Sequence, residues 1–334
     1  MVSEEFLDLN NNFFSNSRLN TTFSDILEAD LCLTIGTNVR LEASLLNIRI
    51  KKRIKKGNFI KASVGSSDNF LYTNFALGNS TKTLVQISEG RHPFCKSLIK
   101  SKKPFIIVGA GVKRRLDSAS IDNLLKSLEK QTTILSTEWH GLNFLPLTMG
   151  NVNSNFLGVS QQSCLNFANK KFIFCVGLDS YEKILKKTNM ATFVVVQTPH
   201  SDTLLKNANL ILPSTTFLEK EATFLNLEGR AQKTAVALKS PGLARADSQI
   251  LQALFASSFK TPKNPISLFS KIEDNKRSFI NQLSYPTLGR FNKFYKSSFK
   301  TPLSNFFVTN AITKNSLIMA KCFLAFKQNY KNFV

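Results

Sequence analysis

Ala29-Asp30-Leu31-Cys32-Leu33-Thr34-Ile35-Gly36 is a short apolar run that ends on glycine. A strand buried on both faces of a parallel sheet reads this way, because helices cover both sides and neither face meets water. Thr37 or Asn38 then offers a side-chain oxygen to cap a helix, in which Leu41, Leu45 and Ile48 recur at helical spacing. The chain returns at Asn58-Phe59-Ile60-Lys61-Ala62-Ser63-Val64, a second strand. One strand-helix-strand unit is complete before residue 65.

The pattern repeats downstream. Lys103-Pro104-Phe105-Ile106-Ile107-Val108-Gly109 is strand-like, Asp117 or Ser118 can cap a helix with Ile121, Leu124, Leu125 and Leu128 on one face, and Thr132-Thr133-Ile134-Leu135 is read as the next strand. Residues 171–177, 192–197 and 209–213 carry three more apolar runs. Strands separated by helix-length segments predict a doubly wound α/β fold with a mostly parallel sheet and right-handed crossovers. Ligands of such sheets sit outside the carboxyl ends of the strands, so Gly36-Thr37-Asn38, Gly109-Ala110-Gly111 and Gly177-Leu178-Asp179 mark where a cleft belongs. Gly109-Ala110-Gly111 opens like a dinucleotide fingerprint, but Arg114 stands where the third glycine is required, so it reads as a tight strand-to-helix turn.

Composition narrows the classes. The 334 residues are 43% hydrophobic, enough for a large core and too apolar for a disordered chain. No window reaches the roughly 18 to 20 consecutive apolar residues of a membrane-spanning helix, so membrane association is expected only through partners. Met1–Asp8 is acidic and resembles neither a transit peptide nor a signal peptide. The net charge of +22 raises nucleic-acid binding, and Lys51-Lys52-Arg53 with Lys55-Lys56, and Lys113-Arg114-Arg115, are the local runs. The basic residues are nonetheless spread over the chain, and the first run ends a helix, where cations complement the macrodipole. The 29 Phe alongside abundant Lys and Asn fit an A- and T-rich coding sequence of the kind found in organelle genomes.

Chemistry-bearing clusters are sparse. Cys32, Cys95, Cys164, Cys175 and Cys322 contain no C-x-x-C pair, so they read as reduced core thiols and not as zinc or iron-sulfur ligands. His92, His140 and His200 have neither metal spacing nor a nucleophile with a partner acid. Glu219, Glu221 and Glu228 are read as a structural charge network with Lys220 and Arg230. No catalytic, cofactor-binding or metal residue is assigned.

The stretch from Leu212 to Gln232 (Leu-Pro-Ser-Thr-Thr-Phe-Leu-Glu-Lys-Glu-Ala-Thr-Phe-Leu-Asn-Leu-Glu-Gly-Arg-Ala-Gln) resembles the segment of molybdopterin oxidoreductases that follows a core strand and shapes one side of the cofactor cleft. Its wording is closest to the large iron-sulfur subunit of respiratory complex I. Glu28–Asn38, Arg40, Glu42-Ala43, Leu46-Asn47 and Arg49-Ile50 are similar to that subunit's first cleft-lining strand and turn. Gly90–Phe94, Lys102-Lys103-Pro104, Pro241–Arg245 with Asp247, and Ala311–Thr313 leading to Met319–Cys322 follow in matching order, over about residues 17 to 325. The resemblance implies the C-terminal, molybdopterin oxidoreductase-like portion of that subunit, without the cysteine-rich N-terminal region and as a split-gene product.

From this resemblance follow a set of expectations. Residues 1–102 would be the remainder of one Rossmann-like subdomain, 103–247 a second, and 248–334 a loop-rich extension with some helix. The chain would be a structural subunit of the peripheral, matrix-side arm of NADH:ubiquinone oxidoreductase, mitochondrial and organelle-encoded, with no cofactor of its own. Iron-sulfur clusters would sit in the partner chain bearing the N-terminal portion, which would cover a sheet edge and apolar face otherwise exposed. The alternatives are a catalytic molybdopterin-dependent fragment and a basic nucleic-acid-binding protein.

Overall fold

The computed structural model describes residues 18–65, 72–156, 170–177, 192–200, 208–254, 294–299, 307–308 and 311–331. Cys164, Leu178 and Asp179 lie outside these, as does Thr261–Pro265, part of the expected extension.

Strands β1 (Leu31–Ile35), β2 (Ile60–Val64), β3 (Phe75–Gly78), β4 (Pro104–Gly109) and β5 (Leu142–Leu145) form one parallel sheet in the order β3-β2-β1-β4-β5. The order reverses between β1 and β4, which makes their carboxyl ends the switch point of a doubly wound sheet. Every residue of β1 and β4 is buried. Alternation along β1 explains how: Leu31, Leu33 and Ile35 join one core with Leu84, Ile87, Leu98, Ile121, Leu124, Leu125 and Leu128, whereas Cys32 joins another with Val39, Leu46, Ile50, Ile107 and Trp139. Helices therefore cover both faces. The division expected at 102/103 passes between two paired strands of this sheet, since β4 lies directly against β1.

The helix after β1 differs from its expected form. Asn38 caps α1 (Val39–Glu42) by accepting from the backbone N–H groups of Arg40 and Leu41, but Ala43 leaves the helical region and α2 (Ser44–Lys55) starts afresh. The break resets the phase: Leu46 and Ile50 are buried, and Leu45 and Ile48 are 77% and 60% exposed. Residues 132–135 also depart from the strand reading. They form a narrow loop in which Leu135 bridges His140 and the Gly141 N–H donates to the Ile134 carbonyl, and the chain enters the sheet only at β5.

After β5 comes α7 (Met149–Phe156), the seventh helix in chain order after α3 (Thr81–Ser88), α4 (Cys95–Lys100), α5 (Ala110–Lys113) and α6 (Ser118–Gln131). The expected apolar face of α6 is buried as read. A second parallel sheet pairs β6 (Phe172–Val176), β7 (Phe193–Thr198) and β8 (Leu210–Pro213) in that order, followed by the antiparallel hairpin β9 (Thr223–Leu225) and β10 (Ala231–Lys233). The division expected at 247/248 falls in the first turn of the helix Asp247–Leu254.

Candidate functional site

At the switch point the two strand-end turns touch. Gly36 turns with φ +59, and a Cβ at Gly109 would stand 2.3 Å from Thr37 Cβ and 2.7 Å from the Gly36 carbonyl oxygen, so glycine is required for contact rather than for holding a phosphate. Thr37 Oγ1, beside this contact, is buried without a hydrogen-bond partner. The ring of Phe299 packs onto the same turn, 3.4 Å from where a Gly36 Cβ would be, and Phe299 is 2% exposed. In this structure a side chain of the protein occupies the crevice.

The basic run beside this crevice faces inward. Lys113 pairs with Asp122 at 2.7 Å, both side chains nearly fully buried, and its ammonium lies 4.5 Å from the centre of the Phe144 ring. Arg115 grips Asp117 through two hydrogen bonds of 2.7 and 2.8 Å and donates to the carbonyls of Tyr295 and Ser297. Asp117 occupies the N-cap position of α6 but makes no side-chain cap; its carboxylate accepts instead from Arg115 and the Tyr295 N–H. In the other run, Arg53 donates to the carbonyls of Ala29 and Gly57 and stacks over Phe59.

The Leu212–Gln232 stretch builds a docked hairpin. Asn226 and Gly229, the latter at φ +84, close its turn, and Asn226 Oδ1 accepts from the Arg230 N–H. Glu228 Oε1 accepts from the Phe23 N–H at 2.5 Å, the Leu19 N–H donates to the Leu227 carbonyl, and Arg18 lies so close to Gly229 that a Cβ there would meet its guanidinium at 2.2 Å. Asn153 on α7 holds β9 through the Leu225 N–H. Glu219 accepts from the Thr216 N–H, and Glu221 pairs with Lys233. Lys220 pairs with Asp247, which also accepts from Gln197. Each expected network acid thus has a structural partner: Lys233 for Glu221, and the backbone N–H groups of Thr216 and Phe23 for Glu219 and Glu228, while Lys220 turns to Asp247. The Arg18–Thr21 segment in turn lies along β5: the Phe144 N–H donates to the Arg18 carbonyl, and the fully buried Asn143 amide accepts from the N–H groups of Asn20 and Thr21. This edge of the sheet is covered by the chain itself.

The remaining single residues are scattered. Cys32, Cys95 and Cys175 are buried and Cys322 is half-buried. Burial pushes the Cys32 thiol up to about 11, against a smaller opposing effect of Lys61, and raises Cys175 as well. His92 Nδ1 accepts from the Phe94 N–H, and His140 meets Glu129 at 3.0 Å. Among the described residues no three His, Cys, Asp or Glu side chains converge as a metal site, and no helix is long and apolar enough to cross a membrane. Sequence reasoning missed Phe299 and Asn143; an isolated Phe in a Phe-rich tail and an Asn inside an apolar strand carry no local signal of a partner 120 or more residues away.

Comparison with known proteins gives the family. The family model for Molybdopterin oxidoreductase matches residues 2–257, and a second, for the C-terminal part of a NADH-ubiquinone oxidoreductase subunit, matches residues 276–322. The NADH-ubiquinone oxidoreductase 75 kDa subunit of Reclinomonas americana is 40% identical over 96% of this chain and 48% of its own length. The mitochondrial NADH dehydrogenase (ubiquinone) iron-sulfur protein 1 of Solanum tuberosum is 34% identical over 91% of this chain and 42% of its own. The mitochondrial NADH-ubiquinone oxidoreductase 78 kDa subunit of Candida albicans is 32% identical over 93% and 45%. The chain spans about half the length of these relatives. With three-quarters of its residues inside one family match and a doubly wound parallel sheet to go with it, the chain belongs to the molybdopterin oxidoreductase family.

Proposed function

We propose that this chain is a structural subunit of the peripheral arm of respiratory complex I, on the matrix side of the mitochondrial inner membrane, packed beside a separate chain that carries the iron-sulfur clusters. The observation that carries this is its 40% identity, along nearly its whole length, to a 75 kDa subunit of NADH-ubiquinone oxidoreductase. The geometry agrees: in the stretch that resembles a cleft wall, Glu228 is spent on holding the hairpin to the Arg18–Phe23 segment, and Glu219 and Glu221 on contacts within the stretch and hairpin. Electron transfer then belongs to the assembly, and this chain supplies shape. On a native gel the chain should run in the band with NADH dehydrogenase activity, together with an iron-sulfur chain. Migration apart from that band would overturn the reading.

One observation favours a second reading, a molybdopterin enzyme. Gln197 Oε1 and Thr215 Oγ1, at the carboxyl ends of β7 and β8, are buried without a hydrogen-bond partner, and the polar edge of a pterin would satisfy them. Those two residues would hold such a group, which would supply the redox chemistry. Stoichiometric molybdenum or tungsten in the purified chain supports this reading, and its absence from an intact assembly removes it.

A further inference from the structure

The segment Phe294–Phe299 crosses the carboxyl ends of four strands of the first sheet. Beyond β3, the Phe299 N–H donates to the Asn79 carbonyl at 2.9 Å and Ser298 forms an antiparallel bridge with Ser80. Thr81 Oγ1, at the start of α3, donates to the Tyr295 carbonyl at 2.9 Å. Beyond β2 and β1, Phe299 packs on Gly65 and Gly36, its Cβ 3.8 Å from a Gly65 Cβ position. Beyond β4, Arg115 donates to the carbonyls of Tyr295 and Ser297, stacks 4.9 Å above the Phe299 ring and presents Asp117 to the Tyr295 N–H. Four strand ends, three backbone carbonyls and one ring make this a built site.

We propose that the β1–β4 crevice is a binding site for a planar apolar ring that is filled in cis by Phe299, so that the C-terminal region serves as the bound ligand of the first sheet. Three features support it. The crevice lies where open α/β sheets take their ligands. Its floor carries Gly36 and Gly65, against both of which Phe299 packs where a larger residue would intrude. Arg115 lies over the Phe299 ring face at 4.9 Å, a contact that would hold a diffusible aromatic ring equally well, while the hydrogen bonds to backbone carbonyls fix the peptide that delivers it. The consequence is a latch: Phe294–Phe299 are tied to the first sheet independently of any partner chain.

The test uses the full-length chain and its Phe299→Ala variant. Removing a buried Phe ring should lower the melting temperature by roughly 6–15 °C. The cavity left is apolar and ring-sized, so saturating benzene should raise the melting temperature of Phe299→Ala by several degrees and leave the parent chain unmoved. A variant that melts with the parent, or benzene shifting both alike, would overturn the proposal. If Phe299→Ala does not fold, the Ser80→Cys/Ser298→Cys pair decides in an otherwise native chain. Their bridged positions suit a disulfide, so oxidation should give a cross-linked proteolytic peptide joining them. Complete oxidation without that peptide would overturn the proposal too.

Discussion

Lys113 and Asp122 form an ion pair whose side chains are 6% and 5% exposed. Such a pair adds little against an apolar replacement of both, yet losing one partner strands a charge away from water. Lys113→Ala should therefore destabilise the chain by about 3–5 kcal/mol in urea denaturation. A loss below about 1 kcal/mol is what an exposed pair gives, and would place this one in solvent. Cys32 supplies a pH signature of the opposite edge. Its folded thiol is held up to about 11 by burial, while the unfolded thiol ionises near its ordinary 9.0. The contribution is complete below pH 9.0 and is lost as pH rises toward about 11, at about 1.4 kcal/mol per unit. Cys32→Ala should flatten the stability profile in that window; an unchanged slope would assign it to other groups. The sequence shows Lys113-Arg114-Arg115 as a basic patch because the partners that turn it inward are out of view. Asp117 and Asp122 are near in the chain but unremarkable, and Tyr295 lies 178 residues beyond Asp117.

The strands were largely legible, and for a physical reason: β1, β4 and β7 are covered on both sides, so they read as unbroken apolar runs between glycines and helix caps. The helix after β1 was legible in its cap and illegible in its face. A break of one residue at Ala43 rotates everything after it, and no periodicity argument registers a rotation made by backbone angles alone. Two substitutions separate the phases. Leu46→Ala should cost about 2–5 kcal/mol, as for a buried Leu, while Leu45→Ala should stay within about 0.5 kcal/mol; the reverse ranking by thermal melting would restore the continuous helix. Residues 132–135 misled for a similar reason. Ile134 is buried like a strand residue, but it is buried in a loop closed by the Gly141 N–H, and β-branched character reports burial as readily as pairing. The candidate site was legible only as a location. The turns after β1 and β4 were placed correctly, and what fills them comes from a tail without periodicity.

Long-range ties decide how the molecule holds together. The N-terminal segment is fixed by Asn143 and Glu228, and the Phe294–Phe299 segment by Arg115 and Asp117. Burial works against the ionised Asp117, but the hydrogen bonds from Arg115 and the Tyr295 N–H outweigh it and hold the carboxyl below its ordinary 3.8. Its contribution is therefore present above that value and is lost as pH falls through the lower folded one. Acid should release the Phe294–Phe299 segment, seen as a falling yield of the Ser80→Cys/Ser298→Cys cross-link when samples are acidified before quenching and oxidation. Asp117→Asn should show that low yield already at neutral pH, and a variant that cross-links like its parent would exclude this control. Phe299 follows Gly36 by 263 residues. At about 5–20 residues per second, a ribosome needs roughly 15–50 s to deliver one after the other. Between completion of β5 at Leu145 and the arrival of Phe299, the nascent first sheet carries an open, ring-sized apolar mouth, a docking place for a holdase that presents an aromatic side chain until the chain's own Phe299 displaces it.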